Sequence, residues 1–310
     1  MGDIFMITAL AGGVGAARFL QGLVKIVPPE ELTIIANTGD DISLYGLHIS
    51  PDLDILTYTL AGIVDERKGW GIDGDTFHCL RNLEKYGWAT WFQVGDRDMA
   101  THLYRTYRLK EGANLAEITD EICQKLKLKV KILPMSNQQV QTMIKTDKGF
   151  LHFQEYLVQR GMKDTVQSVQ FKGIEKAKPA SGVIESIQQA ERIIICPSNP
   201  IVSIGSIISL QGIKKALIKA DAKIVGISPI IQGAPVKGPA DKLLKGLNYE
   251  VSSFSVAEIY QPFMDVFIID IKDENEEARI QNLGIKTTKT DILMTTLQNK
   301  IDLAKVALSV

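Results

Sequence analysis

Short apolar, β-rich runs recur along this chain, and each ends in a dense polar loop. They are Ile4–Leu10 before AGGVGAAR, Thr33–Ala36 before NTGDD, Thr90–Val94 before GDRD, Val130–Leu133 before PMSN, Arg192–Cys196 before PSNP and Lys223–Ile227 before SPIIQGAP. Helical spacing separates them, as in Ala16, Ala17, Phe19, Leu20 and Leu23. Continuously apolar strands are buried on both faces, and alternation with helices implies crossover connections. The pattern therefore predicts an α/β, Rossmann-like architecture, a mostly parallel sheet with helices on both faces. Val266–Ile271 adds a late strand. All 310 residues read as one domain, since no internal repeat or low-complexity linker divides them.

Residues 138–180 break the pattern. Val140–Ile144 and Phe150–Gln154 flank a polar turn, Lys145–Gly149, which predicts a small antiparallel β insertion or cap. Pro179 ends it, and Ser181 is placed to N-cap a helix carrying Val183, Ile184 and Ile187.

Composition removes several classes of function. Lys plus Arg number 35 against 36 Asp plus Glu, a net charge of −1 with no long basic block, so nucleic acid is not the expected partner. Cys79, Cys123 and Cys196 form no CxxC pair, which argues against zinc and against a disulfide framework. Asp3 stands where a signal peptide would be basic, and the apolar run after it is short, so it reads as a strand. No apolar stretch approaches the ~20 residues of a membrane helix. A cytoplasmic protein without membrane contact is expected.

In an open parallel sheet, ligands bind beyond the carboxyl ends of the strands. Every polar loop named above follows a predicted strand, so all of them are expected to border one cleft. Gly12, Gly13 and Gly15 lie between the first strand and first helix, where backbone N–H groups and a helix N-terminus suit a phosphate. Arg18 occupies the third glycine position of the dinucleotide fingerprint and is a candidate phosphate contact or a solvent-facing side chain. Asp40 and Asp41 follow Asn37-Thr38-Gly39, and Asp52 and Asp54 follow in Ser50-Pro51-Asp52-Leu53-Asp54. Acids beside a diphosphate repel it unless a cation intervenes, which points to Mg²⁺. Turn chemistry is the competing account of any one of these acids.

The remaining motifs are less specific. GWGIDGDTF places an aromatic among glycines and acids, an edge for a planar ligand or a turn with a helix cap at Asp75 or Thr76. GDRDMATH is either a ligand loop or an ion-paired helix cap, and Gln93 just before it faces a neighbouring loop or the ligand. Ser198 and Asn199, between prolines, suit a second anion or a base edge. Lys237 and Lys242 are possible phosphate partners or plain surface lysines, and His48, His78 and His152 read as structural.

Together, AGGVGAARFL, NTGDD, SPDLD, GWGIDGDTF, GDRDMATHL, HFQEYLV, PSNPIVSIGSI and SPIIQGAPVKGPADK resemble, in the same order from about Met6 to Leu297, the 2-phospho-L-lactate transferase family of coenzyme F-420 biosynthesis. The resemblance implies transfer of a phospho-hydroxyacid group (lactyl, enolpyruvyl or glyceryl) from a guanosine diphosphate-linked donor. The acceptor would be the terminal ribityl hydroxyl of 7,8-didemethyl-8-hydroxy-5-deazariboflavin, with GMP released. It further implies Mg²⁺ held by Asp40 or Asp41 and by Asp54, a diphosphate on Gly12, Gly13 and Gly15, and the deazaflavin next to Asp54. Asp54 and Asp40 are then the catalytic candidates, Arg18, Gln93, Ser198 and Asn199 the further substrate contacts, and a homodimer the expected assembly. Two other readings compete. One is a regulatory protein of related fold that binds a nucleotide sugar or dinucleotide, which SPDLD and GDRD disfavour. The other is an NAD-dependent dehydrogenase, disfavoured by Arg18 and by the lack of an evident acid/base pair for hydride transfer.

Overall fold

The structure, a computed structural model, describes residues 5–310; Asp3 and Ile4 of the expectations above lie outside it. Seven strands build one sheet: β1 (Ile7–Ala11), β2 (Leu32–Ala36), β3 (Lys131–Pro134), β4 (Arg192–Ile195), β5 (Lys223–Ile227), β6 (Val266–Asp270) and β7 (Lys286–Thr290). Their order is β3-β2-β1-β4-β5-β6-β7, and every neighbouring pair is parallel. The chain runs outward from β1 in one direction and then outward from β4 in the other. The strand order therefore reverses between β1 and β4, and a crevice opens at the carboxyl ends of that pair.

Alternation along each strand feeds two cores. Leu10, Ile35, Leu133, Ile193, Ile195 and Phe267 pack on one face, and Ala9, Ile34, Ile132, Ile194, Val225 and Ile268 on the other. Helices cover both, and each fully buried Leu or Ile contributes ~1.5–3 kcal/mol. Helix α1 (Gly13–Leu23) is pressed onto the C-terminal helix Leu297–Ser309: a Cβ on Gly22 would lie 2.3 Å from the Lys300 backbone.

The insertion is a three-stranded antiparallel sheet, with Gln141–Thr146 paired on one side to Gly149–His152 and on the other to Val166–Lys172. A π-helical turn, Glu155–Gln159, follows its hairpin. The helix after it, Val183–Gln189, is capped by Gly182 in the left-handed region rather than by Ser181.

Thr90–Val94 is not a strand. Its apolar residues pack as an extended loop: Val94 is buried with Ile42, Leu47 and Ile49 of a small hairpin, and Trp91 and Phe92 rest against that group. An apolar run covering a satellite core has the same composition as a sheet strand, and periodicity does not separate the two. PMSN also leaves the cleft. β3 is the edge strand, Met135 is buried in the core, and Asn137 accepts the Ala116 backbone N–H instead of facing a ligand.

Candidate active site

A cavity of about 560 Å³ lies at the reversal point and gathers most of the polar loops. Gly12, Gly13, Gly15, Arg18, Asp40, Asp54, Gln93, Ser198 and Asn199 all line it, whereas Asp41 does not. Helix α2 (Pro51–Leu60) brings Asp52 and Asp54 in its first turn, and helix α4 (Asp96–Lys110) brings Asp98 and His102.

The glycine loop is fixed more tightly than its composition suggests. The Gly12 N–H donates to Ser198 Oγ at 3.2 Å, which ties the loop after β1 to the loop after β4. The Gly13 N–H is engaged by Asp52, and Gly13 itself has a φ of 71°, a left-handed conformation that disfavours side chains. A Cβ on Gly12 would approach both Asp52 Oδ2 and the Ser203 Cβ to 2.7 Å. The donors left for an anion are the Val14 and Gly15 N–H groups in the first turn of α1, which have no partner inside the helix.

Asp40 and Asp52 face one another beside this loop. Burial, and then the Asp52 charge, raises the Asp40 carboxyl well above its ordinary range, and Asp40 Oδ1 is buried without a hydrogen-bond partner. Burial likewise raises Asp52 from 3.8 to about 7, although Asn37 Nδ2 donates to its Oδ2 at 2.8 Å. Asn37 is in turn fixed through its Oδ1, which accepts from Ser206 Oγ and the Gly39 N–H. Asp41 points elsewhere: its Oδ2 accepts from Ser50 at 2.8 Å and lies 3.0 Å from His48 Nε2. Ser50 therefore holds Asp41 instead of capping α2 with its side chain.

These two carboxylates make a testable link to pH. A native carboxyl with a raised pKa binds more protons than the unfolded chain between the two values, so its contribution to stability falls as pH rises through that window. For Asp52 the window runs from 3.8 to about 7. In metal-free buffer the melting temperature of the wild type, measured against Asp52→Asn, is expected to fall between about pH 4 and about pH 7. A constant difference would show that Asp52 is not buried as an acid.

Asp54 has a different environment. Arg105, fully buried, holds it with both terminal nitrogens: Nη2 on Oδ1, and Nη1 on Oδ2 at 3.2 Å. Nη1 also lies 3.3 Å from His102 Nδ1, and His102 Nε2 lies 3.3 Å from Asp98 Oδ1, which accepts from Tyr58 at 2.8 Å. Burial opposes ionisation of Asp98, but His102, followed by Tyr58 and Arg105, outweighs it and holds the carboxyl below its ordinary value. Asp98, His102 and Arg105 share a face of α4 because residues three and four apart are neighbours on a helix. Arg105 lies beyond the GDRDMATH motif, and this spacing, read together with the acids of α2, was the only signal for it.

The outer acids of the same motifs cap helices reciprocally. Asp75 accepts the N–H groups of Arg97 and Asp98 at the start of α4, and Asp96 accepts those of His78 and Cys79 at the start of helix α3 (His78–Lys85).

Two cations and an apolar wall complete the cavity. Lys237 lines the cavity beside Arg18 with an exposed side chain whose Nζ donates to the Lys68 carbonyl at 3.4 Å, and partial desolvation, then the Arg18 charge, lowers its pKa. Lys242 instead donates to the Met162 carbonyl. Ile49, Phe92, Phe153, Leu157, Val202 and Met294 supply the apolar lining, with half-exposed Trp70 at 40% exposure. Among the described residues no three acid, histidine or cysteine side chains converge as a metal cluster. No helix there is long and apolar enough to cross a membrane.

The sequence matches the family described as 2-phospho-L-lactate transferase CofD over residues 7–306. A phosphoenolpyruvate transferase of Kitasatospora aureofaciens is 43% identical over 98% of this chain and 97% of its own length. A 2-phospho-L-lactate transferase of Methanosarcina mazei is 40% identical over 96% and 97%. A Bacillus halodurans protein of the UPF0052 family, 16% identical, superimposes with a TM-score of 0.67 over 99% of this chain and all of that one, a likeness of fold alone. A match across nearly the whole length, with relatives near 40% identity, makes this chain a member of the 2-phospho-L-lactate transferase CofD family of transferases.

Proposed function

We propose that this chain transfers a phospho-hydroxyacid group from a guanosine diphosphate-linked donor to the terminal ribityl hydroxyl of 7,8-didemethyl-8-hydroxy-5-deazariboflavin, releasing GMP, in coenzyme F-420 biosynthesis. The observation that carries this reading is one cavity holding a glycine loop, the Arg18 and Lys237 cations and a pair of mutually repelling carboxylates at the sheet's reversal point. The relatives' names divide between phosphoenolpyruvate and 2-phospho-L-lactate transferases, which supports an enolpyruvyl or lactyl donor acid over a glyceryl one.

The hydroxyl oxygen attacks the phosphorus that bears the acid. A new P–O ester bond forms, the bridging P–O bond breaks, GMP leaves with its electron pair, and the hydroxyl proton passes to a carboxylate of the site or to water. Little covalent work falls to the protein, which must position the reactants and neutralise charge. The first turn of α1 and the Arg18 and Lys237 cations receive the diphosphate, while the apolar wall and Trp70 receive the planar ring. The residues fit Mg²⁺: Asp40 and Asp52 would hold it, because they are two buried, mutually repelling carboxylates and one has an oxygen without a protein partner, which suits a divalent cation. When bound, it supplies charge neutralisation at the phosphates. We assign Asp54 to the acceptor side, since Arg105 occupies one lone pair on each of its oxygens. A homodimer in the cytoplasm fits the reading.

A titration of the purified protein with the deazariboflavin, followed by fluorescence, tests it. Saturable binding strengthened by GDP and Mg²⁺ is expected, with turnover lost to chelator and restored by Mg²⁺. Mass spectrometry of the product then identifies the acid. Absence of deazaflavin binding together with tight binding of a nucleotide sugar would replace the transferase by the regulatory reading.

A further inference from the structure

Arg105 is among the largest fully buried side chains of the protein, and it lies directly behind a wall of the cavity. Burying a guanidinium is expensive, and a buried ion pair is often no more stabilising than apolar residues of the same volume. Stability alone therefore explains Arg105 poorly. What the pair achieves is geometric. Asp54 is 5% exposed yet lines the cavity, and a carboxylate there without a partner would be free to rotate about its own side chain. Arg105 prevents that. Its planar fork takes one lone pair on each Asp54 oxygen, and its own position is fixed by the His48 carbonyl and by His102, which stands between Asp54 and Asp98. A carboxylate has about four lone-pair sites, so each oxygen keeps one for the cavity.

We infer that Arg105 is a positioning residue: through its fork on Asp54 it presents that carboxylate in one fixed orientation to the hydroxyl-bearing acceptor. The inference rests on the transferase reading above and adds the determinant of acceptor orientation. A fork also differs from a point charge, so lysine, which keeps the charge but not the plane, is a poor substitute.

The test uses the full chain with Arg105→Met, Arg105→Lys, Asp54→Asn and the Arg105→Met/Asp54→Asn double variant. Arg105→Met is expected to weaken deazariboflavin binding and lower kcat, each by about 10-fold or more, while GDP affinity stays within about twofold. Because Arg105 acts through Asp54, the double variant should be no worse than the poorer single variant. A folded Arg105→Met with wild-type acceptor affinity and kcat, or losses that multiply in the double variant, would overturn the inference. Should Arg105→Met fail to fold by circular dichroism, Arg105→Lys decides: acceptor affinity reduced about fivefold supports positioning, and unchanged affinity rejects it. Should the wild-type chain bind no deazariboflavin, the transferase reading falls by itself. The crystal structure of Arg105→Lys still judges the inference, a rotated Asp54 carboxylate supporting it and an unmoved one rejecting it.

Discussion

Asp40→Asn is expected to leave the protein folded and at least as heat-stable as the wild type, and to lower turnover by about 100-fold or more. The opposite signs follow from one arrangement. The Asp40 carboxyl is buried against Asp52, and both are raised, so ionising the pair in the metal-free protein costs desolvation and mutual repulsion. An amide of the same shape removes one charge and the repulsion with it. It keeps a carbonyl oxygen beside Thr142, whose hydroxyl is buried without a hydrogen-bond partner in the wild type. The same change removes the anionic oxygen that has no protein partner and is free for a cation. Functional sites are where a fold tolerates such strain, and relieving it commonly trades activity for stability. Thermal melts and steady-state rates at pH 8 with Mg²⁺ decide the matter. A wild-type rate would take Asp40 out of the reaction. A large fall in melting temperature would make its carboxylate a structural acceptor for Thr142 and Asn37.

The sheet was readable because its strands are buried on both faces, and continuous apolar runs such as Ile193–Ile195 have few other uses in a soluble fold. β7 escaped for the opposite reason. Lys286-Thr287-Thr288-Lys289-Thr290 is an edge strand, half-exposed, and edges carry lysine and threonine to discourage further pairing. The third strand of the insertion, Val166–Lys172, has the same mixed exposure. In the site, the glycine loop and the acid motifs were visible as composition, but composition does not say which acid meets which partner. Asp41 and Asp40 are adjacent in sequence, and yet one is turned to His48 and Ser50 while the other lines the cavity. Asp52 and Asp54 diverge in the same way, one toward Asn37 and one toward Arg105. These choices depend on contacts between residues far apart in the chain, such as Asn37 with Ser206, and no local pattern carries them.

The glycines of the first loop also separate by what their missing side chains make room for, and Gly15→Ala exposes the difference. A Cβ at Gly15 would lie 2.1 Å from the Pro197 carbonyl oxygen, a backbone atom that cannot swing aside. Overpacking of this kind costs ~1–3 kcal/mol, offset in part by the ~1 kcal/mol by which alanine outranks glycine inside a helix. The remainder has to be taken up by moving α1 away from the loop after β4. That movement breaks the bond from the Gly12 N–H to Ser198 and spreads the two loops between which the donor's diphosphate is proposed to lie. GDP affinity, read by calorimetry, should therefore fall by about 10-fold or more along with the melting temperature. Gly22→Ala is the matched control. Its Cβ would meet the Lys300 backbone at 2.3 Å, at the other end of the same helix and away from the cavity, so it should lower the melting temperature and leave GDP affinity near wild type. If Gly15→Ala also melts early and still binds GDP normally, both glycines serve helix packing alone. The proposed diphosphate path between the loops after β1 and β4 would then have to be abandoned.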